Sequence, residues 1–553
     1  MLLSLLLALA QTSDAPVLTS GRPIPPEQAC YDVKHYQIGV RVDPKARAIR
    51  GRTEITANIT APTQAIVLDL DGRLKLDKVV RLVTGTADDP GQSLDFRHEQ
   101  GEIRVATGAL EVGTSLHLAL EYAGEPRVAP NAPWDGGFVW SKTKDGSPWI
   151  ATANQMQGAD LWWPCKDQPD DEADSVDILV TVPKPLVCAS NGRLVETRPA
   201  GDGWETFHWR VSTPINSYGI ALNIAPYKTI SRDYRSITGE VFPVTYWVLP
   251  ENKAKGKVLF EDILRQMAAF EQFFGPYPFR ADKYGVAETP HLGMEHQTII
   301  AYGNEYKLDR WGEDRGYDEL HLHEFAHEWW ANLVTAANWN DFWIHESFAS
   351  YAQALYAEHV GGEKAYFTEM REQMHFANQA AIAPREKRST AEMYFGDSEG
   401  SPGNDIYAKG AWVLHTLRWL LGDEPFFAAL RRMAYPDPTK ELSTDGSACR
   451  FATTDEILRI AEEVSGRELG WFFEVYLRQP KLPVLSSTVK KGALLLEWNS
   501  PTGQPFPMPV EVLFGGEHVR VECPDGKGLL ELHGKKHAVD PRDNVLRVGN
   551  GEH

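Results

Sequence analysis

His323-Glu324-Phe325-Ala326-His327, followed after eighteen intervening residues by Glu346, is the stretch on which the reading of this chain turns. As a pattern it is H-E-x-x-H with a distant glutamate. On a helix, positions i and i+4 share a face, so the imidazoles of His323 and His327 can grip one ion. Glu346 completes a set of three zinc ligands. Two His and one Glu leave the fourth tetrahedral position open to water, which marks a catalytic rather than a structural site. Glu324, beside the first ligand, can reach that water. Phe325, Ala326, Trp329, Trp330 and Leu333 are apolar, so the helix is expected to be mostly buried. Buried His and Glu need partners, and a metal supplies them.

The rest of the chain narrows the function without fixing it. Its 553 residues suggest about three domains with ample core. A net charge of −20 with no basic run argues against nucleic-acid binding and suits a substrate carrying a free ammonium group. Cys30, Cys165, Cys188, Cys449 and Cys523 are widely spaced, with no C-x-x-C among them. They form neither a zinc cluster nor a disulfide framework, and they leave room for one or two disulfides. The N-terminus is a short apolar run ending in Ala8-Leu9-Ala10, which reads as a leader over residues 1–20 and an exported protein, although a positive n-region is missing. The run is too short to span a bilayer, and nothing later reaches that length.

Texture divides the chain further. Over residues 28–234 apolar positions alternate, as in Tyr36, Ile38, Val40 and Val42 and in Ile55, Ala57 and Ile59, which predicts an antiparallel β domain. Residues 235–480 read as mainly helical. Phe260, Ile263, Leu264, Met267, Phe270 and Phe274 form one helix face that stops at Gly275-Pro276. From 481 to 553 the pattern is β again, with a hairpin expected around Gly515-Gly516. Arg385 to Asn404 is polar and reads as a surface loop leading into a helix.

A second segment, Leu292-Gly293-Met294-Glu295-His296-Gln297, makes a resemblance plain. The chain is similar to the aminopeptidase N family of zinc metallopeptidases, which also contains leukotriene hydrolase. That family carries G-x-M-E-N upstream of H-E-x-x-H and the distant Glu. Trp339-Asn340-Asp341 through Trp343, Ile406-Tyr407-Ala408-Lys409-Gly410, Gln155-Met156-Gln157 and Trp163-Pro164-Cys165-Lys166-Asp167-Gln168-Pro169 match further family segments in the family's order. The similarity runs from about Tyr31 to the end.

The resemblance implies an N-terminal β-saddle, a thermolysin-like α+β catalytic domain and a small β-sandwich-like C-terminal domain. It implies one Zn2+ and peptide substrates with a free N-terminus. Glu324 is then the general base, and Tyr407 donates a hydrogen bond to the oxyanion. Glu295 holds the substrate's α-ammonium, assisted by Gln157; Gly293 leaves room for substrate backbone, and Met294 lines the first side-chain pocket. Two positions depart from the family. His296 stands where Asn is usual, which suggests a pH-sensitive amine pocket. Gln353, seven residues after Glu346, replaces a common acidic residue and could accept the imidazole N–H of a zinc ligand. An endopeptidase resembling thermolysin shares the ligand pattern, but Glu295 and Gln157 argue against it. A binding protein with a relict site would not need Glu324 and Tyr407. Epoxide hydrolysis belongs to a branch with a helical C-terminal domain, and the residues after 480 read as β. Without a helical cap, the cleft is expected to be open and to admit longer peptides.

Overall fold

The computed structural model describes residues 18–83, 91–307, 314–394 and 400–550. The Ala8-Leu9-Ala10 pattern lies outside them. Ser20, placed above at the end of the leader, is part of the folded body. It is buried, its N–H donates to Met156 O at 3.2 Å, and its Oγ accepts from Trp339 Nε1 at 3.1 Å.

The alternating N-terminal segments form an eight-stranded sheet. Its spatial order is Arg193–Pro199, Trp204–Val211, Ser175–Pro183, Tyr31–Asp43, Ala48–Ile59, Ser115–Gly124, Leu74–Arg81 and Gln92–Ser93. Val40 sits opposite Gly51 in an antiparallel ladder and opposite Val180 in a parallel one, so Tyr36, Ile38, Val40 and Val42 all face one core. A four-stranded sheet in the same domain contains Pro148–Ala153, and the chain leaves that strand through Gln155 into the cleft described below.

The catalytic segment opens with a sheet rather than a helix, which corrects the expectation of helix from 235. Lys228–Arg235, Val241–Val248, Tyr284–Glu288 and Ile300–Tyr302 form a mixed sheet in that order. Tyr284–Glu288 is buried at all five positions, so its residues show no alternation and resemble a piece of buried helix in sequence. The helix Lys253–Phe274 packs its apolar face on this sheet and ends at Gly275, whose φ of 100° few other residues adopt. The helices Glu319–Ala326, Trp343–Glu372 and Ala408–Leu421 complete the centre of the domain.

Beyond residue 480 the chain is β as expected. Val510–Phe514 and Glu517–Val521 form the hairpin, turned by Gly515 and Gly516 at φ of 61° and 93°. This module shares its core with the catalytic helices. Leu494, Trp498, Val510 and Val512 lie in one continuous cluster with Trp412 and Tyr476. All five cysteines are free thiols. No described helix is long and apolar enough to cross a membrane.

Candidate active site

The motif helix Glu319–Ala326 starts at Asp318, whose side chain accepts from His321 N at 2.9 Å. His327 is its C-terminal cap. Beyond it the backbone widens through hydrogen bonds from Asn332 N to His327 O, Leu333 N to Glu328 O and Val334 N to Trp329 O, each spanning five residues. Glu346 lies one turn into the helix Trp343–Glu372. The start of that helix is pinned where Asp341 Oδ1 accepts from Thr454 Oγ1 at 2.6 Å and Trp343 Nε1 donates to the same hydroxyl at 2.7 Å. These bonds tie the Trp339-to-Trp343 segment to the placement of the Glu346 carboxylate.

These elements bring the three expected ligands together. His323 Nε2 and His327 Nε2 are 3.3 Å apart, and each is 3.5 Å from Glu346 Oε2. Atoms held about 2.0–2.1 Å from one ion at tetrahedral angles lie roughly 3.3–3.4 Å from one another, so the triangle fits zinc. Glu346 Oε2 is buried and makes no hydrogen bond among the described residues. His327 Nδ1 faces Trp330 O at 2.9 Å; donation there leaves Nε2 as a lone-pair donor to a metal. The charges ask for a cation as well. Burial pushes the Glu324 carboxyl well above its ordinary range, and Glu295 and Glu346 push in the same direction. Burial opposes the charge on Glu346, but the His327 and His323 imidazoles outweigh it and hold that carboxyl low. His321 and His345 are not ligands. His321 bonds Gln266 and Tyr284, each at 2.6 Å, and His345 Nε2 accepts from Ala336 N at 2.8 Å.

Glu324, Glu295, Gly293, Met294 and Tyr407 line the same cavity of about 860 Å³ as the ligands. Glu295 is 3% exposed; it accepts from Tyr218 OH at 3.2 Å and from Gln155 Nε2. Burial raises its pKa to about 7, against the pull of His327. Tyr407 caps the helix Ala408–Leu421 and stacks on His323, with ring centroids 6.0 Å apart. Burial first, and Glu346 second, keep its hydroxyl protonated and able to donate. Gly410 lets that helix close on Trp343–Glu372, because a Cβ there would sit 1.6 Å from Ser347 Oγ.

Gly293 has a sharper reason than substrate clearance. A Cβ at this position would lie 2.1 Å from Glu324 Oε1 and 2.5 Å from its Cδ. Gly293→Ala should therefore displace Glu324 and lower kcat by about 10²-fold, the scale of a 1 Å misplacement, at unchanged zinc content. Steady-state kinetics beside metal analysis checks this; wild-type kcat in the variant would contradict it.

Two expectations need correction. Gln157 is not brought to Glu295. Its Oε1 accepts from Gly136 N at 2.7 Å and its Nε2 donates to Asp135 at 2.9 Å, while Gln155 takes the place expected for it. Residues 155–157 form a turn, so two side chains two positions apart diverge. His296 is no pH sensor near neutrality, since burial pulls its pKa to about 3. Gln353 donates to Glu319 Oε1 at 3.0 Å, and Glu319 lines the cavity one turn before His323. The sequence reading missed Gln155, Tyr218 and Glu319. The i−4 spacing of Glu319 from His323 was a usable signal; Tyr218 had none. The segment Trp163 to Pro169 lies in the N-terminal core, with Asp167 N donating to Asp69 Oδ2 at 3.0 Å.

The comparisons agree with this geometry. Residues 32–218 match the peptidase M1 N-terminal domain, and residues 260–446 match the peptidase family M1 domain. Aminopeptidase M1-D of Oryza sativa subsp. japonica is 23% identical over 479 residues, covering 84% of this chain and 52% of that protein. Aminopeptidase N of Haemonchus contortus is 26% identical over 473 residues, covering 79% and 45%. The chain thus spans about half the length of these curated relatives. In fold it is similar to an M1 zinc metallopeptidase from Deinococcus radiodurans, solved bound to a Tyr-Ser-Ala substrate. The TM-score is 0.63 at 23% identity, over 82% of this chain and 95% of that one. With both domain models matched in order and the ligand triangle assembled within the second, the chain belongs to peptidase family M1.

Proposed function

We propose that this chain is a zinc-dependent aminopeptidase that removes the first residue of peptides. The observation that carries the reading is the joint placement of His323, His327 and Glu346 with Glu324 and a buried Glu295 in one cavity. When bound, zinc polarises the scissile carbonyl and makes water a nucleophile near neutral pH. Glu324 takes the proton from the attacking water and hands it to the leaving amine. Its raised proton affinity suits both steps, because a carboxyl that accepts a proton readily here can still give it to an amine. The Tyr407 hydroxyl donates to the oxyanion that develops at the carbonyl.

Glu295 gives the exopeptidase register. A buried carboxylate in the cleft pairs with an α-ammonium, so a free N-terminus places the first peptide bond beside Glu324. Gln155 and Tyr218 orient the Glu295 carboxylate, and Met294 borders the space for the first side chain. None of the described residues lining the cavity comes from beyond Ala408.

The test is metal removal. Dialysis against 1,10-phenanthroline should abolish hydrolysis of Leu-p-nitroanilide, and one equivalent of zinc per chain should restore it. Full activity in protein shown to be metal-free would overturn the proposal.

A further inference from the structure

The outward face of the eight-stranded sheet carries a row of side chains that the reaction does not use. Arg198 lies opposite Thr206, Thr206 opposite Thr181, Thr181 opposite Arg41, and Arg41 opposite Arg50. Residues directly opposite one another share a face, so these five side chains form one row across five adjacent strands. The row holds three arginines and two threonines, and no carboxylate.

Two of the arginines are set against each other. Arg41 and Arg50 face one another on antiparallel strands, where Cβ atoms lie about 4.5–5.5 Å apart and like charges weaken the pairing. Among the described residues neither side chain forms an ion pair or a hydrogen bond. Arg41 stacks on Trp204, with its guanidinium carbon 3.5 Å from the ring centroid, and Arg50 acts on Asp77 only through its field. The next pair along the strand shows the usual arrangement of a solvated sheet face. There Arg52 lies opposite Glu121, at 3.2 Å.

The row is also recessed. Arg41, Arg50, Arg198, Thr181 and Thr206 line a cavity of about 360 Å³. Gly39, two residues before Arg41 and on the same face, lines it without a side chain. Four arginines (Arg41, Arg50, Arg52 and Arg198) and two carboxylates (Asp77 and Glu121) line it in all, a balance of 4 − 2 = +2 in a chain of net charge −20. Thr181 Oγ1 and Thr206 Oγ1 are 2.8 Å apart. Whichever hydroxyl donates, the other keeps a proton for a further acceptor.

The chemistry of the lining selects the ligand. A guanidinium offers only donors, in a planar fork that matches the paired oxygens of a carboxylate or a phosphate. One such group between Arg41 and Arg50 converts their repulsion into attraction to a shared anion. Arg198 stands three strands from Arg41, about 14 Å along the sheet, so a second anionic group on the same molecule is needed to reach it.

We propose that this recess binds a small polyanion, a compact molecule with at least two phosphate or carboxylate groups. One group sits between Arg41 and Arg50, and the other is held by Arg198 with the Thr206 hydroxyl. The proposal is independent of the peptidase reading, since the two cavities share no lining residue.

The test is isothermal titration of the full zinc-loaded chain at low, matched ionic strength, where exposed charges are least screened. The probes are fructose 1,6-bisphosphate and, separately, tricarballylate. Saturable binding of one molecule per chain, at about millimolar affinity or tighter, is expected for at least one of them, and the tighter probe identifies phosphate or carboxylate as the group recognised. Arg41→Ala and Arg50→Thr should each weaken binding by about tenfold or more. Arg232→Ala, which removes an exposed arginine paired with Glu261 in the other domain, should not change it. Arg50→Thr should also keep or raise the Tm of the ligand-free chain, because it removes a like-charge pair and leaves a good strand former. The rise in Tm that the probe gives the unsubstituted chain should vanish in that variant. Absence of saturable heat with both probes, or an affinity that survives Arg41→Ala and Arg50→Thr, would overturn the proposal. An equal loss in Arg232→Ala would reduce the effect to overall charge and overturn it too.

Discussion

Glu324→Gln should lower kcat on Leu-p-nitroanilide by about 10²–10⁴, the range for a positioned general acid-base group, with KM little changed. The amide matches the carboxylate in shape and leaves His323, His327 and Glu346 in place, so one zinc per chain should remain. The substitution also has an opposite effect on stability. Glu324, Glu295 and Glu346 are three buried carboxyls within one site, and burial is the largest cause of the raised pKa of the first two. Removing one ionisable group from that set should raise the Tm of the metal-free protein, because less charge has to be desolvated on folding. A variant with wild-type kcat would remove Glu324 from the base role. A variant that loses zinc would show that Glu324 helps hold the metal instead.

Glu295→Ala should cost about 2–5 kcal/mol of transition-state stabilisation on free-amine substrates, the scale for truncating half of a buried charge pair. The loss should be confined to substrates with an ammonium group, so the ratio of free-amine to N-acetyl rates should collapse toward one. The pH dependence follows from the same carboxylate. Burial raises Glu295 to about 7, and the zinc charge draws it down again, so the acid limb of kcat/KM lies at or below pH 7. The sign is fixed: Glu295 binds ammonium only when ionised, so activity falls as pH drops through its pKa. Glu295→Gln should remove this limb. An unchanged limb, or unchanged kcat/KM in the alanine variant, would sink the assignment.

How much of this was legible in the residues differs from element to element. His323, His327 and Glu324 could be read because helical geometry is local, so an i, i+4 spacing already fixes which side chains share a face. Glu346 could be read because a single helix start, pinned by Asp341 and Trp343, carries it. The β character of the first domain was visible in the alternation of Tyr36, Ile38, Val40 and Val42, which one-sided burial imposes, but the parallel pairing of Tyr31–Asp43 with Ser175–Pro183 was not. Tyr284–Glu288 was not visible, since a strand buried on both faces carries no period. The exchange of Gln157 for Gln155 shows another limit. Both are present in the sequence, but the turn between them decides which one meets Glu295, and that turn is set by contacts from Asp135 and Gly136. Trp134, Tyr218 and Tyr394 reach the cleft only through tertiary packing, and isolated aromatic residues carry no signal of it. The boundary near 480 marked a change in secondary structure, but the strands beyond it complete the catalytic core rather than forming their own.

The most direct test of the central claim is hydrolysis of Leu-p-nitroanilide beside its N-acetyl analogue, each with and without 1,10-phenanthroline. The account predicts cleavage of the free-amine substrate alone, abolished by the chelator. Cleavage of both substrates at similar rates would contradict the role of Glu295 and favour an endopeptidase, and cleavage that survives complete metal removal would contradict the zinc site itself.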